Sequence, residues 1–325
     1  MKNHPHTFDL NKRHSLSTLL GLSAAAMLPT FAHGAELPKS FRVGFQKGTV
    51  ILLLTRQRRG FETRLQKLGI NQVDWIEFQF GPPMLEAITA KSVDLGSVGD
   101  TAPIFAQAGG GDIVYSLAVP TSPHAVLVPE NSPIRTLADL KGKQIAVAKG
   151  SSAHNFLIKA LKIGGLSWND IRPAYLGPAE ASPAFNSGKI DAWAIWDPYF
   201  ALAEEKFAAR VIASPEQYPS LAGLSFFVAS SHFAQHYPAA LHAVNDALID
   251  TIKWADTHRD DVARLAAEVT GLELSIQQRA IARAPYGYSD FTPALLDEQQ
   301  ATADAFFAQK LIPKKINIRD IVWRG

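Results

Sequence analysis

Gln144-Ile145-Ala146-Val147-Ala148 runs directly into Lys149-Gly150-Ser151-Ser152-Ala153-His154-Asn155, and Phe156-Leu157-Ile158-Lys159-Ala160-Leu161 follows. The first segment is an apolar run of strand length and the last has helical spacing, so the middle segment is a strand-to-helix junction. A glycine followed by two serines at such a junction offers backbone N–H groups and hydroxyls, which is the chemistry that binds an anion. Serine at a helix start is also a common N-cap, so the segment alone is compatible with an anion site or with an ordinary cap.

The N-terminus has the pattern of a secretory signal peptide. Lys12 and Arg13 precede an apolar run over residues 16–28, and small residues stand at Ala32 and Gly34. The run is too short to span a bilayer comfortably. We therefore predict cleavage after Gly34, with residues 1–34 as the signal peptide and export of the protein to a Gram-negative periplasm.

Composition limits the remaining function classes. The chain has no cysteine, which excludes disulfides, thiolate metal sites and a lipid-anchoring cysteine. The predicted leader carries three of the 32 basic and one of the 30 acidic residues, so the rest of the chain is formally neutral. A neutral balance argues against nucleic acid as a partner. The length of the mature chain predicts two domains.

Strand and helix patterns alternate along the chain, which predicts an α/β fold with mainly parallel sheets flanked by helices. The alternation of strands and helices begins near the start of the mature chain, begins again near residue 124, and is followed by helices alone. We predict a first lobe over 35–122 and 225–325, a second lobe over 123–224, and a ligand cleft between them. The predicted strands are 41–45, 75–78, 93–97, 113–119, 124–128, 144–148, 190–195, 210–213 and 225–230. The longer predicted helices are 49–68, 101–108, 152–163, 239–256, 259–269, 275–283 and 293–309.

An ordered set of segments resembles the periplasmic alkanesulfonate-binding proteins of ABC importers, within a wider group for taurine, nitrate and thiamine precursors. The segments are residues 45–48, 81–87, 93–100, 103–108, 130–134, 140–142, 149–155, 191–199, 311–315 and 323. The resemblance covers nearly the whole mature chain. It implies the two-lobe periplasmic binding protein fold (type II) with hinge strands between the lobes, no catalysis, no cofactor, and delivery of a small organic sulfonate to a permease in the inner membrane for sulfur acquisition.

A sulfonate accepts hydrogen bonds and donates none, so its site must supply donors. Gln46 offers an amide at the end of the first strand, and Ser151 and Ser152 offer hydroxyls and N–H groups from the second lobe. Gly99, Asp100 and Thr101 begin a helix in the first lobe, with Asp100 as its expected N-cap. Two helix N-termini, one from each lobe, would let the anion cross-link the closed state.

Three further side chains are candidates for the same cleft. His154 is either a donor to the anion or a helix-start histidine that faces solvent. Trp196 would line the cleft and reach an anion oxygen with its indole N–H, whereas Trp193 lies on the other phase of the strand and is expected in the core. Asp197 precedes a proline and is a turn former or a ligand contact.

Other chemistry finds little support in the sequence. His232 and His236 stand four apart, but no third ligand accompanies them, so no metal site is predicted. There is no Gly-x-Ser-x-Gly elbow and no Walker lysine. We expect a monomeric binding protein rather than an enzyme. Binding of taurine, nitrate or a thiamine precursor is the alternative, and a pyrimidine-precursor synthase on the same fold is a more distant one. Unusual segments at 50–54 and 283–288 leave the preferred tail length, and the binding of aromatic sulfonates, open.

Overall fold

The computed structural model describes residues 37–325, so the predicted leader over residues 1–34 lies outside the described residues. Ten strands and twelve α-helices follow one another. The strands are β1 (Phe41–Phe45), β2 (Val73–Glu77), β3 (Leu95–Gly99), β4 (Ile113–Pro120), β5 (His124–Val128), β6 (Gln144–Val147), β7 (Arg172–Tyr175), β8 (Ala192–Trp196), β9 (Arg210–Ala213) and β10 (Leu224–Ser230). The helices are α1 (Val50–Gln57), α2 (Gly60–Leu65), α3 (Gly81–Thr89), α4 (Thr101–Ala108), α5 (Ser152–Ile163), α6 (Pro178–Asn186), α7 (Tyr199–Lys206), α8 (Ser231–His236), α9 (Pro238–Thr257), α10 (Arg259–Thr270), α11 (Leu274–Arg283) and α12 (Pro293–Ala308).

The strands form two five-stranded sheets with the same plan. The first has the order β2-β1-β3-β10-β4 and the second β7-β6-β8-β5-β9. In each sheet a single strand, β10 or β5, runs against its neighbours, and the other four share one direction. These reversed strands are the ones that the chain enters on crossing from one sheet to the other. The predicted two-lobe α/β fold is therefore confirmed, with mixed rather than purely parallel sheets.

Helices cover both faces of each sheet, because the strands are apolar on both faces. All five residues of β5 are buried. Two hydrophobic clusters lie on either side of the first sheet, around Phe41 and Tyr115. Two more lie on either side of the second sheet, around Leu157 and Trp193. Trp193 is buried as predicted.

The C-terminal helices join the two lobes. A small apolar cluster places Ala201 of α7, in the second lobe, against Ile276 and Ala280 of α11. The polar edge of the same contact pairs Lys206 with Glu273, whose charged atoms are 2.6 Å apart. On the other side of the cleft, Asn155 of α5 donates to Asp100 at the start of α4 at 2.7 Å. The two lobes therefore touch on both sides of the cleft.

The structure corrects two sequence expectations about elements. The single helix expected over residues 49–68 is broken at Arg59, whose φ of 53° is left-handed, and continues as α2 and a short 3₁₀ turn. Helices α6 and α7 and strand β7 have no counterpart among the predicted elements. Pro178 and Pro183 weaken the helical pattern of α6, where both nevertheless fit, since Pro178 occupies the first turn.

Within residues 37–325, no helix combines the length and the apolar character that a membrane span requires.

Candidate functional site

The main cavity lies between the lobes and holds about 1170 Å³ of empty space, counting the part open to solvent. Its walls come from the carboxyl ends of β1, β3 and β8, from the crossover between β4 and β5, and from α9 and α11. Among the described residues that line this cleft, Asp197 is the one carboxylic acid and His124 the one basic side chain. An anion in the cleft would therefore be held by neutral donors and dipoles rather than by a lysine or arginine.

Helix N-termini from both lobes converge on the cleft. Its lining includes Val50 and Ile51 of α1, Ala102 of α4 and Ser152 of α5. None of these three helices receives a hydrogen bond from its N-cap side chain, which they share with most other α-helices of residues 37–325. The first N–H groups of α1 and α5 find no backbone acceptor in the described chain. Unpaired N–H groups at the positive ends of the α1 and α5 dipoles are suited to stabilise a negative charge.

The junction that begins α5 forms as the sequence predicts. Gly150, with a φ of 75°, turns the chain from β6 into the helix. The two serines then differ in role. Ser151 is buried and its hydroxyl donates to the carbonyl of Ala148 at 2.7 Å, so it closes the turn and its N-cap role is absent. Ser152 is half-buried, lines the cleft and lies 2.8 Å from Nε2 of His124.

His124 is a cleft residue that sequence reasoning missed. Its Nδ1 lies 2.6 Å from the carbonyl oxygen of Ser122, and its ring stacks on Phe156 and tilts against Trp196. Because a carbonyl only accepts, Nδ1 carries the hydrogen and the Nε2 lone pair of the neutral ring faces Ser152. Burial lowers the pKa of His124 to about 4, and the Ser122 carbonyl opposes that shift. The ring is therefore neutral near pH 7.

Gln46 and Trp196 face each other across the cleft. The Gln46 amide donates to the carbonyl of Ser97 at 2.9 Å, which fixes the side chain and leaves its second N–H toward the cavity. The indole nitrogen of Trp196 lies close to Gly48, where a Cβ would be 3.9 Å away. No acceptor among the described residues pairs with this indole N–H. Both groups are thus placed as donors to a ligand.

At Gly99 the backbone of the first lobe lies directly against Ser152 of the second. A Cβ on Gly99 would lie 2.4 Å from the Cβ of Ser152 in the opposite lobe. Real side chains do not reach that distance, so only glycine permits this closure. The same contact places Gly99 and Ser152 side by side at the polar end of the cleft.

Asp100 and Thr101 lie behind the cleft wall and do not line the main cavity. The expected N-cap role of Asp100 is wrong: its backbone is already helical and its carboxylate caps none of the helix N–H groups beyond its neighbour. It accepts instead from the Thr101 hydroxyl at 2.8 Å and from Asn155 of the other lobe. Burial raises the pKa of Asp100, and the hydrogen bonds from Asn155 and Thr101 oppose that shift.

His154 adopts neither of the two arrangements considered from the sequence. It is fully buried, and its ring packs against Trp168, Tyr175 and Phe306. Its Nδ1 accepts from the N–H of Gly150 at 3.3 Å. Burial, assisted by the charge of Lys149, lowers the pKa of His154 to about 4. The residue is a core histidine that holds the junction from behind.

Asp197 lines the cleft but is already paired. Its carboxylate accepts two hydrogen bonds from Arg283, at 2.7 and 3.0 Å, and one from the N–H of Ala201. Arg283 also reaches Glu204 at 2.8 Å. This ion pair links α11 to α7, and no local pattern predicts it because the partners are 86 residues apart. Asp197 therefore fixes the wall beside Trp196 and has little capacity left for a ligand cation.

The end of the cleft remote from Ser152 is apolar. It is walled by side chains of α1, β10, α9 and α11 and of the segment after α11: Val50, Ile51, Phe227, Ile252, Ile281 and Tyr286. Burial raises the pKa of Tyr286 to about 12, so its phenol is neutral. The cleft thus has a donor end and an apolar arm, which together suit an anionic head on an apolar tail.

No group of three His, Asp or Glu side chains within residues 37–325 is close enough to hold a metal ion. His232 and His236 stack on each other at the surface, with ring centroids 4.2 Å apart.

Comparison with known proteins agrees with this geometry. A family model described as the NMT1-like family matches residues 34–271. A protein of Escherichia coli (strain K12), provisionally named an aliphatic sulfonates-binding protein, is 38% identical over 94% of this chain and 95% of its own length. The alkanesulfonate-binding protein SsuA from Xanthomonas axonopodis pv. citri, solved with bound MOPS, is 40% identical with a TM-score of 0.84, over 90% of this chain and 100% of that one. The periplasmic aliphatic sulphonate binding protein SsuA from Escherichia coli is 37% identical with a TM-score of 0.79, over 89% of this chain and 93% of that one.

Proposed function

The chain belongs to the NMT1-like family, and from that premise we propose that it captures an alkanesulfonate in the cleft between its lobes and delivers it to an ABC permease. Its relatives are named as binding proteins for sulfonates. In this proposal the protein acts in the periplasm as a monomer, catalyses no reaction and serves the acquisition of sulfur.

The observation that carries the proposal is the convergence of unpaired N–H groups, at the starts of α1 and α5, on a cleft whose described lining has no lysine or arginine. A sulfonate is ionised at any pH at which the protein is folded, and it offers three acceptor oxygens and no proton. Neutral donors from both lobes match those oxygens: the amide of Gln46, the indole N–H of Trp196 and the N–H groups at the start of α1 and α5. Each donor to the charge contributes about 1.5–3 kcal/mol.

The apolar arm favours an alkanesulfonate over the related ligands. Taurine carries an ammonium group, and the one carboxylate that lines the cleft, Asp197, is already bonded to Arg283. Nitrate has no tail and would leave the wall formed by Ile252 and Tyr286 without a partner. Each methylene buried in the arm stabilises the complex by about 0.8 kcal/mol. Affinity should therefore rise with tail length until the arm is full.

Calorimetry on the purified protein tests the proposal. The panel contains methanesulfonate, butane-1-sulfonate, hexane-1-sulfonate, benzenesulfonate, taurine, sulfate and nitrate. We expect the longer alkanesulfonates to bind at least tenfold tighter than taurine, sulfate or nitrate. Tighter binding of taurine or nitrate than of every alkanesulfonate would assign the cleft to the alternative ligand. Mass spectrometry of a long incubation with hexane-1-sulfonate should recover it unchanged, and conversion would refute the non-enzymatic part of the proposal.

Trp196→Phe is the matched variant for the donor end. It keeps an aromatic wall and removes one N–H, so binding of hexane-1-sulfonate should weaken by about tenfold or more. Trp323→Phe, beside His242 of α9 and outside the cleft lining, should leave the affinity unchanged. Equal effects of the two substitutions would remove Trp196 from the site.

A further inference from the structure

When the His124 ring is neutral, the hydroxyl hydrogen of Ser152 is already donated to that ring. Nδ1 of His124 faces the Ser122 carbonyl at 2.6 Å, so the ring hydrogen is on Nδ1 and the Nε2 lone pair faces Ser152 at 2.8 Å. The Ser152 hydroxyl is then the donor and the ring is the acceptor. Toward the cleft, Ser152 presents only oxygen lone pairs. A sulfonate oxygen that approached this hydroxyl would face the lone pairs of the Ser152 oxygen. Both atoms are then acceptors, and no hydrogen bond can form between them.

A proton on Nε2 reverses this arrangement. The imidazolium donates from Nε2 to the Ser152 oxygen, and the hydroxyl hydrogen turns from the ring to the sulfonate oxygen. The Nε2–H bond forms as a proton leaves hydronium or the acid form of the buffer, whose bond to that proton breaks, and no covalent bond of the ligand or of Ser152 changes. The ring also gains a positive charge beside the anion, which supplies the basic group that the rest of the cleft lining lacks.

We propose that His124 is a proton-dependent positioning residue, which takes up one proton when a sulfonate binds and thereby turns the Ser152 hydroxyl toward the anion. The inference rests on the proposed function, since it concerns how the same cleft recognises its ligand. It assigns a role to a histidine of β5 whose position in the sequence carries no motif.

The groups that contact the His124 ring are uncharged, so a bound ligand would be the main charge acting on it. Ser152 and Phe156 of α5, Trp196 of β8 and the Ser122 carbonyl contact the ring, and all are uncharged. Asp100 and Lys159 line a small cavity beside it. Asp100 is hydrogen-bonded to Asn155 and Thr101, and Lys159 lies 3.8 Å from Glu298.

Asp197, next to Trp196, is paired with Arg283. Asp197 and Lys159 are therefore paired with opposite charges, and burial favours the neutral form of Asp100 by raising its pKa. A bound sulfonate would add a permanent negative charge beside the ring, and it would raise the pKa of the ring from the value of about 4 that burial imposes.

The test is calorimetry with hexane-1-sulfonate from about pH 5 to about pH 8, in buffers that differ in ionisation enthalpy. The ligand does not titrate in this range, so proton uptake belongs to the protein. The buffers must not be sulfonates, which excludes MES, MOPS and HEPES; phosphate, imidazole and Tris serve. We expect affinity to rise as the pH falls, by up to about tenfold per unit. The observed heat should depend on the buffer, with uptake of up to one proton.

His124→Gln replaces the titrating ring by an amide whose N–H₂ donates to Ser152 at every pH. This variant should bind hexane-1-sulfonate with an affinity independent of pH and with no buffer-dependent heat. Ser152→Ala should bind more weakly and show a smaller pH dependence, because the hydroxyl relay is lost while the charge of the protonated ring still acts on the anion. His236→Gln, at an exposed position outside the cleft, should keep the wild-type profile. If His124→Gln does not fold, the wild-type buffer dependence and Ser152→Ala still decide the question.

Two failures are distinguishable. If no sulfonate of the panel binds, the proposed function is wrong. If hexane-1-sulfonate binds to the wild type with the same affinity across the pH range and without proton uptake, the cleft is a sulfonate site and the role of His124 is refuted. A pH dependence that survives in His124→Gln would likewise assign the proton to another group.

Discussion

Gly99→Ala should prevent the lobes from closing around a ligand. The added methyl would lie 2.4 Å from the Cβ of Ser152 and 2.7 Å from its hydroxyl oxygen. Non-bonded carbons pack at about 3.5–4.0 Å. The lobes would therefore have to separate by more than about 1 Å at this point, because a Cβ cannot rotate out of the way as the end of a long side chain can.

A separation of this size removes hydrogen bonds that span the cleft. In a closed complex, a donor about 2.9 Å from a ligand oxygen would move to nearly 4 Å, which is beyond the range of a hydrogen bond. Loss of even one donor to a charged group costs about 1.5–3 kcal/mol, which corresponds to a ten- to hundredfold weaker complex. The Asp100–Asn155 bond, formed beside the same contact, would be strained too.

Calorimetry with hexane-1-sulfonate and small-angle scattering measure the two consequences. Gly99→Ala should bind at least tenfold more weakly than the wild type and should not compact on addition of ligand. Its melting temperature should stay close to that of the wild type, because the clash is relieved by opening. Gly223→Ala is the matched control: its methyl would meet Thr121 at 3.5 Å, an ordinary contact, and Gly223 does not line the main cleft. Wild-type affinity and compaction in Gly99→Ala would refute the idea that ligand binding uses this closed geometry.

Three further outcomes follow from the same contacts. Ser151→Ala removes only the hydroxyl bond to the Ala148 carbonyl, so thermal unfolding should show a loss of about 1 kcal/mol with little change in sulfonate affinity; an affinity loss equal to that of Ser152→Ala would contradict this division of roles. Arg283→Gln leaves the buried carboxylate of Asp197 without its cation and should lower stability by about 3–5 kcal/mol in urea unfolding, whereas an unchanged midpoint would show that the pair contributes nothing net. Without ligand, the free energy of unfolding should fall as the pH drops from about 6.5 to about 4, because His124 and His154 bind protons over this range only in the unfolded chain. At about 1.4 kcal/mol per pKa unit, each histidine contributes about 3 kcal/mol. Urea midpoints that stay constant over this interval would disprove the prediction.

Periodicity predicted most of the fold because the elements that carry it are long or fully apolar. Helices α9 to α12 and strands β5 and β8 were found within a few residues of their ends. The break between α1 and α2 was not, because Arg59 adopts a left-handed φ without a glycine to signal it. The α6 helix was missed because two prolines stand where tertiary packing, and not propensity, maintains the helix.

The site was predictable where it follows strand ends and not where it depends on distant pairs. Gln46, Gly99, Ser152 and Trp196 all stand directly at the end of a strand or the start of a helix, and the fold gathers such positions in one cleft. The contact between His124 and Ser152 joins residues 28 apart on different elements. Nothing in the local sequence indicates which hydroxyl a buried ring will face. The direction of the hydrogen bond between Ser152 and His124 therefore follows only from the folded structure.

The positions of the bonds between the lobes indicate how a ligand controls closure. Asp100 lies beside the crossovers, since its carboxylate would be 3.9 Å from a Cβ on Gly223 just before β10. A rotation about the crossovers moves nearby atoms little, so the Asp100–Asn155 bond needs only a small adjustment when the lobes open. The indole N–H of Trp196 lies beside Gly48 of the opposite lobe and has no partner among the described residues. A ligand that bonds to donors of both lobes at once has a higher affinity for the closed state than for the open one, which is the quantity that shifts the equilibrium.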